Sequence, residues 1–330
     1  MTLNNKLVVS ASPHDRSVRT VKSIMLDVII ALVPALVASV FYYGPRALLV
    51  EAIAVATCVI FEAASRVIMK KEQTIGDLSA IITGLLLAFN LPVTIPLWMV
   101  VIGSAVAIIV VKQFFGGIGQ NFVNPALVGR IVLLASFPTA MSNWVQPRTW
   151  TMNSLDGITS ASPLASIHSM IDGSAATSDM PYLKEMLLGW REGCLGETCA
   201  IALIVGGIYL VARKVIKPTI PLAYIGTVAV IMLIAGKGNL QFVAYELLGG
   251  GLMLGAIFMA TDYTTSPITF KGKIIFGIGC GIFTSLIRIF GNLPEGVSYS
   301  IIIMNILVPL IEQATLPKPF GTPKKEKEAK

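Results

Sequence analysis

The sequence is short of charge: only 13% of its 330 residues are Asp, Glu, Lys or Arg, whereas 55% are apolar. Soluble globular chains carry about a quarter charged residues, so a water-solvated enzyme surface is excluded and lipid is the solvent that fits. Histidine is nearly missing. His14 and His168 stand alone, which argues against a histidine-built zinc centre. Of the four cysteines, Cys58 and Cys280 lie inside apolar runs, while Cys194 and Cys199 sit in a loop leading into a helix. Their spacing supports neither a disulfide framework nor a metal site. Glycine-rich phosphate binding is also excluded, because residues 116–119 follow no strand and precede no Gly-Lys-Ser/Thr. The net charge of +7 lacks the interleaved aromatics of a nucleic-acid surface. Its bases gather instead at the ends of apolar runs, where they act as topology signals. Residues 1–22 are polar and have no short apolar core with a small-residue cleavage site, so the first apolar run is expected to stay in the mature chain.

What the sequence does have is long apolar runs. A bilayer core takes about 20 helical residues, and about ten runs approach that length: 23–43, 47–69, 77–91, 96–115 and 122–137, then 197–215, 220–235, 246–261, 273–291 and 297–315. The expected fold is therefore an all-α polytopic membrane protein. Its expected parts are a cytoplasmic N-terminal segment (1–22), a first transmembrane half (23–137), an outward-facing loop (138–196), a second half (197–315) and a basic tail (316–330). Lys and Arg accumulate on the cytoplasmic side of membrane proteins. With the N-terminus inside, only Arg46, Arg148, Lys184, Arg191, Lys237 and Arg288 of the 25 Lys and Arg fall outside, and Arg130 lies within a run. Both termini are then cytoplasmic, and residues 138–196 face outward.

Five spans, an outward loop and five more spans enter the membrane from opposite sides, which is the arithmetic of two inverted five-helix repeats. Weak echoes agree. Residues 84–92 (Gly-Leu-Leu-Leu-Ala-Phe-Asn-Leu-Pro) match residues 255–262 (Gly-Ala-Ile-Phe-Met-Ala-Thr-Asp) before Ser266 and Pro267, and Lys112-Gln-Phe-Phe-Gly116 matches Arg288-Ile-Phe-Gly291. Broken helices leave backbone groups that lipid does not satisfy, so such segments are buried in protein or line a polar cavity. Either a ligand site at the repeat interface or close kinked packing accounts for them.

Residues 156–164 of the outward loop read Asp-Gly-Ile-Thr-Ser-Ala-Ser-Pro-Leu. As bare chemistry this is either a polar turn or a hydroxyl flanked by small residues that a bulky enzyme could reach. The segment resembles the flavinylation motif of the Rnf and Na+-translocating NADH:quinone reductase families: Asp, two variable residues, Ser or Thr, a small residue, Ala, then the acceptor. Asp156, Thr159, Ser160, Ala161 and Ser162 fill those positions in order. One departure is that the acceptor is Ser162, where Thr is usual in this subunit. Other segments similar to those families run along nearly the whole chain: residues 24–34 with Asp27, 83–92, 116–126, 196–198, 258–267 and 293–299. Without the longer N-terminal extension of the quinone-reductase subunit, the chain resembles the D-type membrane subunit (RnfD) of the Rnf complex.

That resemblance implies a role and partners. A flavin transferase would split FAD and leave FMN on Ser162 through a phosphodiester; the hydroxyl needs a base or metal supplied by that enzyme. A second, non-covalent flavin of the riboflavin type within the bundle is left open. With no nicotinamide fold, cluster-ligating cysteines or soluble catalytic domain, the chain would act as a relay, as one subunit of an ion-translocating oxidoreductase. Electrons would pass from ferredoxin to NAD+ while Na+ or H+ moves outward across the bacterial inner membrane, with Rnf subunits A, B, C, E and G as partners. A permease or channel without redox chemistry is the rival reading, because fold analogy does not settle function.

Asp27, Glu51, Glu62, Asp77, Glu246 and Asp262 fall within or beside the apolar runs, where ionisable groups are costly and often functional. Glu51, Glu62 and Asp262 are the candidates for an ion path; the others sit near span ends. Arg130 has no acidic neighbour in sequence. It pairs with a flavin phosphate, a buried carboxylate or a partner subunit, and Asn121 and Asn124 are expected in the same pocket.

Overall fold

A computed structural model describes residues 19–148, 182–291 and 296–317, and the regular structure among them is helical. The first half consists of α1 (Val21–Tyr43), α2 (Pro45–Ile68), α3 (Ser79–Phe89), α4 (Leu97–Ala105, continued as a π-helical segment, Val106–Gln113) and α5 (Pro125–Ser136). After a short α6 (Leu183–Leu188), the second half consists of α7 (Ala200–Ala212), α8 (Thr219–Ala235), α9 (Leu240–Leu248), α10 (Leu252–Leu254, continued as a π-helical segment, Gly255–Met259), α11 (Phe270–Phe290) and α12 (Val297–Thr315).

Local chemistry sets the helix ends. The Thr20 hydroxyl accepts from Ser23 N–H at the start of α1. Asn124 caps α5 through Ala126 and Leu127 N–H, with Pro125 following where a missing N–H costs nothing. Asn239 and Thr269 cap α9 and α11 in the same way. Helices α1, α2, α11 and α12 are long and apolar enough to cross a membrane, and α9 with the α10 segment to Met259, bent by 66°, is either one broken span or a re-entrant pair. The protein is therefore polytopic.

One element differs from the sequence expectation. The helix expected as the eighth span begins at Leu240 rather than 246, and it breaks at Gly249–Gly251 instead of beyond Gly255. Gly250 takes φ 59°, a left-handed backbone that a side chain would resist, so the glycine triplet is the hinge that hydropathy averaging hides. α3, in the run expected as a short or broken third span, is short: its 11 residues extend about 16 Å at 1.5 Å each, against roughly 30 Å of hydrocarbon.

The halves are knitted together by helix crossings and loops. α1 packs along α7, and α5 packs on α12. The α1–α7 crossing needs Gly206, where a Cβ would lie 2.2 Å from the Ala31 carbonyl oxygen. Gly206→Ala should therefore destabilise the chain by about 1–3 kcal/mol through overpacking. Thermal unfolding in detergent measures this; Gly226→Ala on α8, with nothing within 4 Å, should leave the transition unmoved.

Candidate functional site

The breaks in α3 and in α9–α10 expose carbonyls that need donors. At the end of α3, Leu195 N–H donates to Leu91 O at 3.1 Å and Gly196 N–H to Phe89 O at 2.9 Å. The Cys194 thiol donates to Asn90 O at 3.3 Å. At the end of α9, Arg288 donates to Glu246 O at 2.6 Å, to Glu246 Oε2 at 2.9 Å and to Gly249 O at 3.1 Å. Arg191 reaches both Leu248 O and Glu197 O. Segment 191–197 is thus a plug that closes both broken helices. Burial pushes the Cys194 thiol up to about 12, with the Glu197 carboxylate adding to the effect, so it stays a neutral donor.

Arg130 is the centre of this plug. Its Nη1 donates to Asn90 Oδ1 at 2.9 Å and Ser298 Oγ at 3.1 Å and lies 3.7 Å from Glu197 Oε1; its Nη2 lies 3.6 Å from the Cys194 sulfur. Four separate elements meet there: α5, the end of α3, the plug and α12. A buried carboxylate lies beside Arg130. It is Glu197, 67 residues away and invisible to local pattern.

A cavity of about 330 Å³ opens beside α3, at the end of the bundle that holds the α1 N-terminus. Its walls are apolar side chains of α1, α3 and α7, such as Met25, Ile82, Leu86 and Leu210. Its polar lining residues include Thr83, Lys112, Asn121, Asn124, Thr261 and Asp262. Both π-helical segments reach this wall, through Lys112 and Phe258. Such segments often mark functional sites because the extra residue redirects side chains. Asn121 and Asn124 line the cavity, whereas Arg130, with which they were expected to share a pocket, does not.

The acidic candidates separate. Asp262 lies on the cavity wall and accepts from the Thr264 and Thr265 hydroxyls at 3.3 Å. Glu62 is fully buried, with Lys112 Nζ at 2.9 Å, the Gln113 amide at 3.1 Å and the Thr74 hydroxyl at 2.9 Å. Lys112 also donates to Ser79 Oγ at 2.6 Å. Glu51 is distant from that group. It accepts from Ser39 at 2.5 Å, and its Oε2 is buried with no hydrogen-bond partner. Asp156, Thr159, Ala161 and Ser162 lie outside the described residues. The four cysteines are free thiols, and no group of three or more candidate metal ligands occurs among the described residues.

Sequence reasoning missed Arg191 and Arg288 as carbonyl clamps, because it counted them only as outward charges. The echo between residues 112–116 and 288–291 held the available signal: a cation in the last turn of the helical segment Val106–Gln113 and another in the last turn of α11.

Residues 8–321 match the NQR2, RnfD, RnfE family. This chain belongs to that family. Among family relatives, the chain is 45% identical over 326 residues to the D-type subunit of the Na+-translocating ferredoxin:NAD+ oxidoreductase complex of Acetobacterium woodii, covering 98% of both chains. It is 42% identical over 325 residues to the D-type subunit of the proton-translocating ferredoxin:NAD+ oxidoreductase complex of Clostridium ljungdahlii, covering 96% of this chain and 97% of the relative. The corresponding D-type subunit of an ion-translocating oxidoreductase complex from Escherichia coli is 33% identical over 346 residues, with 95% and 98% covered. Family membership therefore extends across both halves and the plug between them.

Proposed function

We infer that this chain is the D-type membrane subunit of a redox-driven ion pump that couples ferredoxin:NAD+ oxidoreduction to Na+ or H+ translocation. The observation that carries the reading is the 45% identity over 98% of the chain to a relative whose name states that activity. The chain is an incomplete catalyst by itself, working with the other Rnf subunits, A, B, C, E and G, in a bacterial cell membrane.

Its part is an electron relay. FMN is joined by a phosphodiester to Ser162, within the motif of Asp156, Thr159 and Ala161, after a transferase has split FAD. A second flavin, held without a covalent bond, occupies the cavity. The fit is physical: a volume of about 330 Å³ is within the range of small-molecule sites, its mostly apolar lining suits a fused ring, and Asn121, Asn124, Thr83 and Lys112 are among its polar lining residues. The ion path draws on Glu51, Glu62 and Asp262, the last two lying at or beside that cavity.

The fold in this reading has ten spans in two inverted repeats, α1–α5 and α7–α12, with α9 and α10 as one broken span. In both halves the third span is short or bent, the fourth packs along the second, and the fifth packs on the fourth. Both termini are cytoplasmic, and the Ser162 loop faces outward.

The broken helices and cavity also favour a second reading, a permease without redox chemistry. Covalent flavin separates the two. Expressed with its transferase, the chain should give a fluorescent band on a denaturing gel and a Ser162 peptide heavier by one FMN less water. An unmodified Ser162 peptide would remove the relay reading.

A further inference from the structure

α1 and α2 form a hairpin that turns at Gly44, and the turn sets Ser39 near the end of α1 against Glu51 near the start of α2. Both are sealed by this chain's own helices, at 0% and 2% exposed, so a neighbouring subunit does not reach the carboxyl. Glu51 Oε2 has no hydrogen-bond partner, and neither residue lines the cavity beside α3. A charged carboxylate in such a place needs a cation or several donors. Among the described residues no Lys or Arg pairs with it. Arg46 donates to the carbonyls of Val93, Thr94 and Ile95, and Lys112 pairs with Glu62. Lys22 on α1 and Arg66 on α2 lie toward the far ends of their helices, more than about 20 Å away at 1.5 Å per residue. α3 and α4, which also pack on α2, carry no ionisable residue.

The Ser39 hydroxyl has one hydrogen and two acceptors within reach, Leu36 O at 2.7 Å and Glu51 Oε1 at 2.5 Å. An ionised Glu51 draws that hydrogen away from Leu36 O and still leaves Oε2 bare. A protonated Glu51 donates from Oε1 to Ser39 Oγ, which donates on to Leu36 O. One added proton thus makes both contacts hydrogen bonds and removes the buried charge. We propose that Glu51 and Ser39 form a proton-binding site inside the α1–α2 hairpin, occupied in the resting protein. Binding forms an O–H bond at Oε1 from a carboxylate and a proton, and no electron moves. A hard metal cation gathers several oxygen ligands around itself, whereas a proton needs only the two oxygens that the hairpin brings together. Glu62 is the opposite case, a carboxylate to which Lys112, Gln113 and Thr74 all donate. The assignment deepens the ion path proposed above by naming the ligand of one of its acids, and only the use made of the proton rests on that reading.

Infrared spectroscopy of the full chain in detergent at neutral pH tests the site, because a protonated carboxyl absorbs above the main amide band and a carboxylate below it. Glu51→Gln should remove one acid band from the wild-type spectrum. Ser39→Ala should shift that band, since the acid loses the oxygen to which it donates. Should Glu51→Gln fail to fold, judged by size exclusion, the Ser39→Ala shift decides. Exchanging choline chloride for sodium chloride should leave the band in place. Loss of a carboxylate band in Glu51→Gln, an unshifted acid band in Ser39→Ala, or conversion of the acid band to carboxylate by sodium overturns the proton site. The use of the proton is read separately in the assembled complex. Glu51→Gln has no carboxyl proton to release and should lower ferredoxin-linked NAD+ reduction about ten-fold, as expected of an ionisable group on an ion pathway. Full turnover with the acid band present in the wild type removes Glu51 from the ion path and leaves the proton site standing.

Discussion

Ser162→Ala should remove the fluorescent band completely and reduce ferredoxin-linked NAD+ reduction by the assembled complex to background, while the protein stays in the membrane at normal level. The cause is the loss of one oxygen atom. A phosphodiester to FMN needs a side-chain hydroxyl at the acceptor, and Ala has none, so no partial effect is expected. Ser162→Thr keeps the hydroxyl and should keep both band and turnover, since Thr is the usual acceptor in the families that the motif resembles. Membrane content of the variant, measured by immunoblot, separates chemistry from folding. Normal turnover in Ser162→Ala would show that electrons bypass this position, and the relay role would fall.

Arg130→Met should be the most destabilising single change in the bundle. It leaves Glu197, 3% exposed, without its ion pair, and Glu197 Oε1 has no hydrogen bond to fall back on. It also takes a donor from Asn90 Oδ1 and a contact from Ser298. Breaking a buried pair by removing one partner costs on the order of 3–5 kcal/mol. Most of that is the charge left behind, so Arg130→Met combined with Glu197→Gln should recover a large part of it. Thermal unfolding of the single and double variants in detergent forms the cycle that measures this coupling. Additive losses in that cycle would mean that Arg130 matters for packing and not for charge.

The helical class and the approximate limits of α1, α2, α11 and α12 were legible in the sequence, because continuous apolar runs report length directly. The breaks were legible less well. Gly255 and Pro267 drew attention toward the end of the eighth span, while the bend lies at Gly249–Gly251. Mean hydropathy over a window scarcely registers three glycines, whereas the backbone at Gly250 depends on them. Asn121 and Asn124 lie beside one cavity, being three residues apart just before α5, which Asn124 caps. Arg130, six residues further on, is not among the residues lining that cavity. Its partner came from the plug, and nothing in local spacing encodes a contact across 67 residues of chain.

Scarcity of charge determined by itself that this chain is dissolved in lipid, since burying or solvating so few charges in water would leave too much apolar surface exposed. Its residue types also supplied a segment that resembles a flavin-acceptor motif, which is a matter of chemistry at adjacent positions. Only the tertiary structure decided which of the rare intramembrane charges meet. Lys112 with Glu62, Arg288 with Glu246 and Arg130 with Glu197 are each joined by folding across 42 to 67 residues. The physical reason is that a buried charge in a low-dielectric interior is tolerated only beside its partner, and that partner is selected by helix crossing, which a linear sequence does not display.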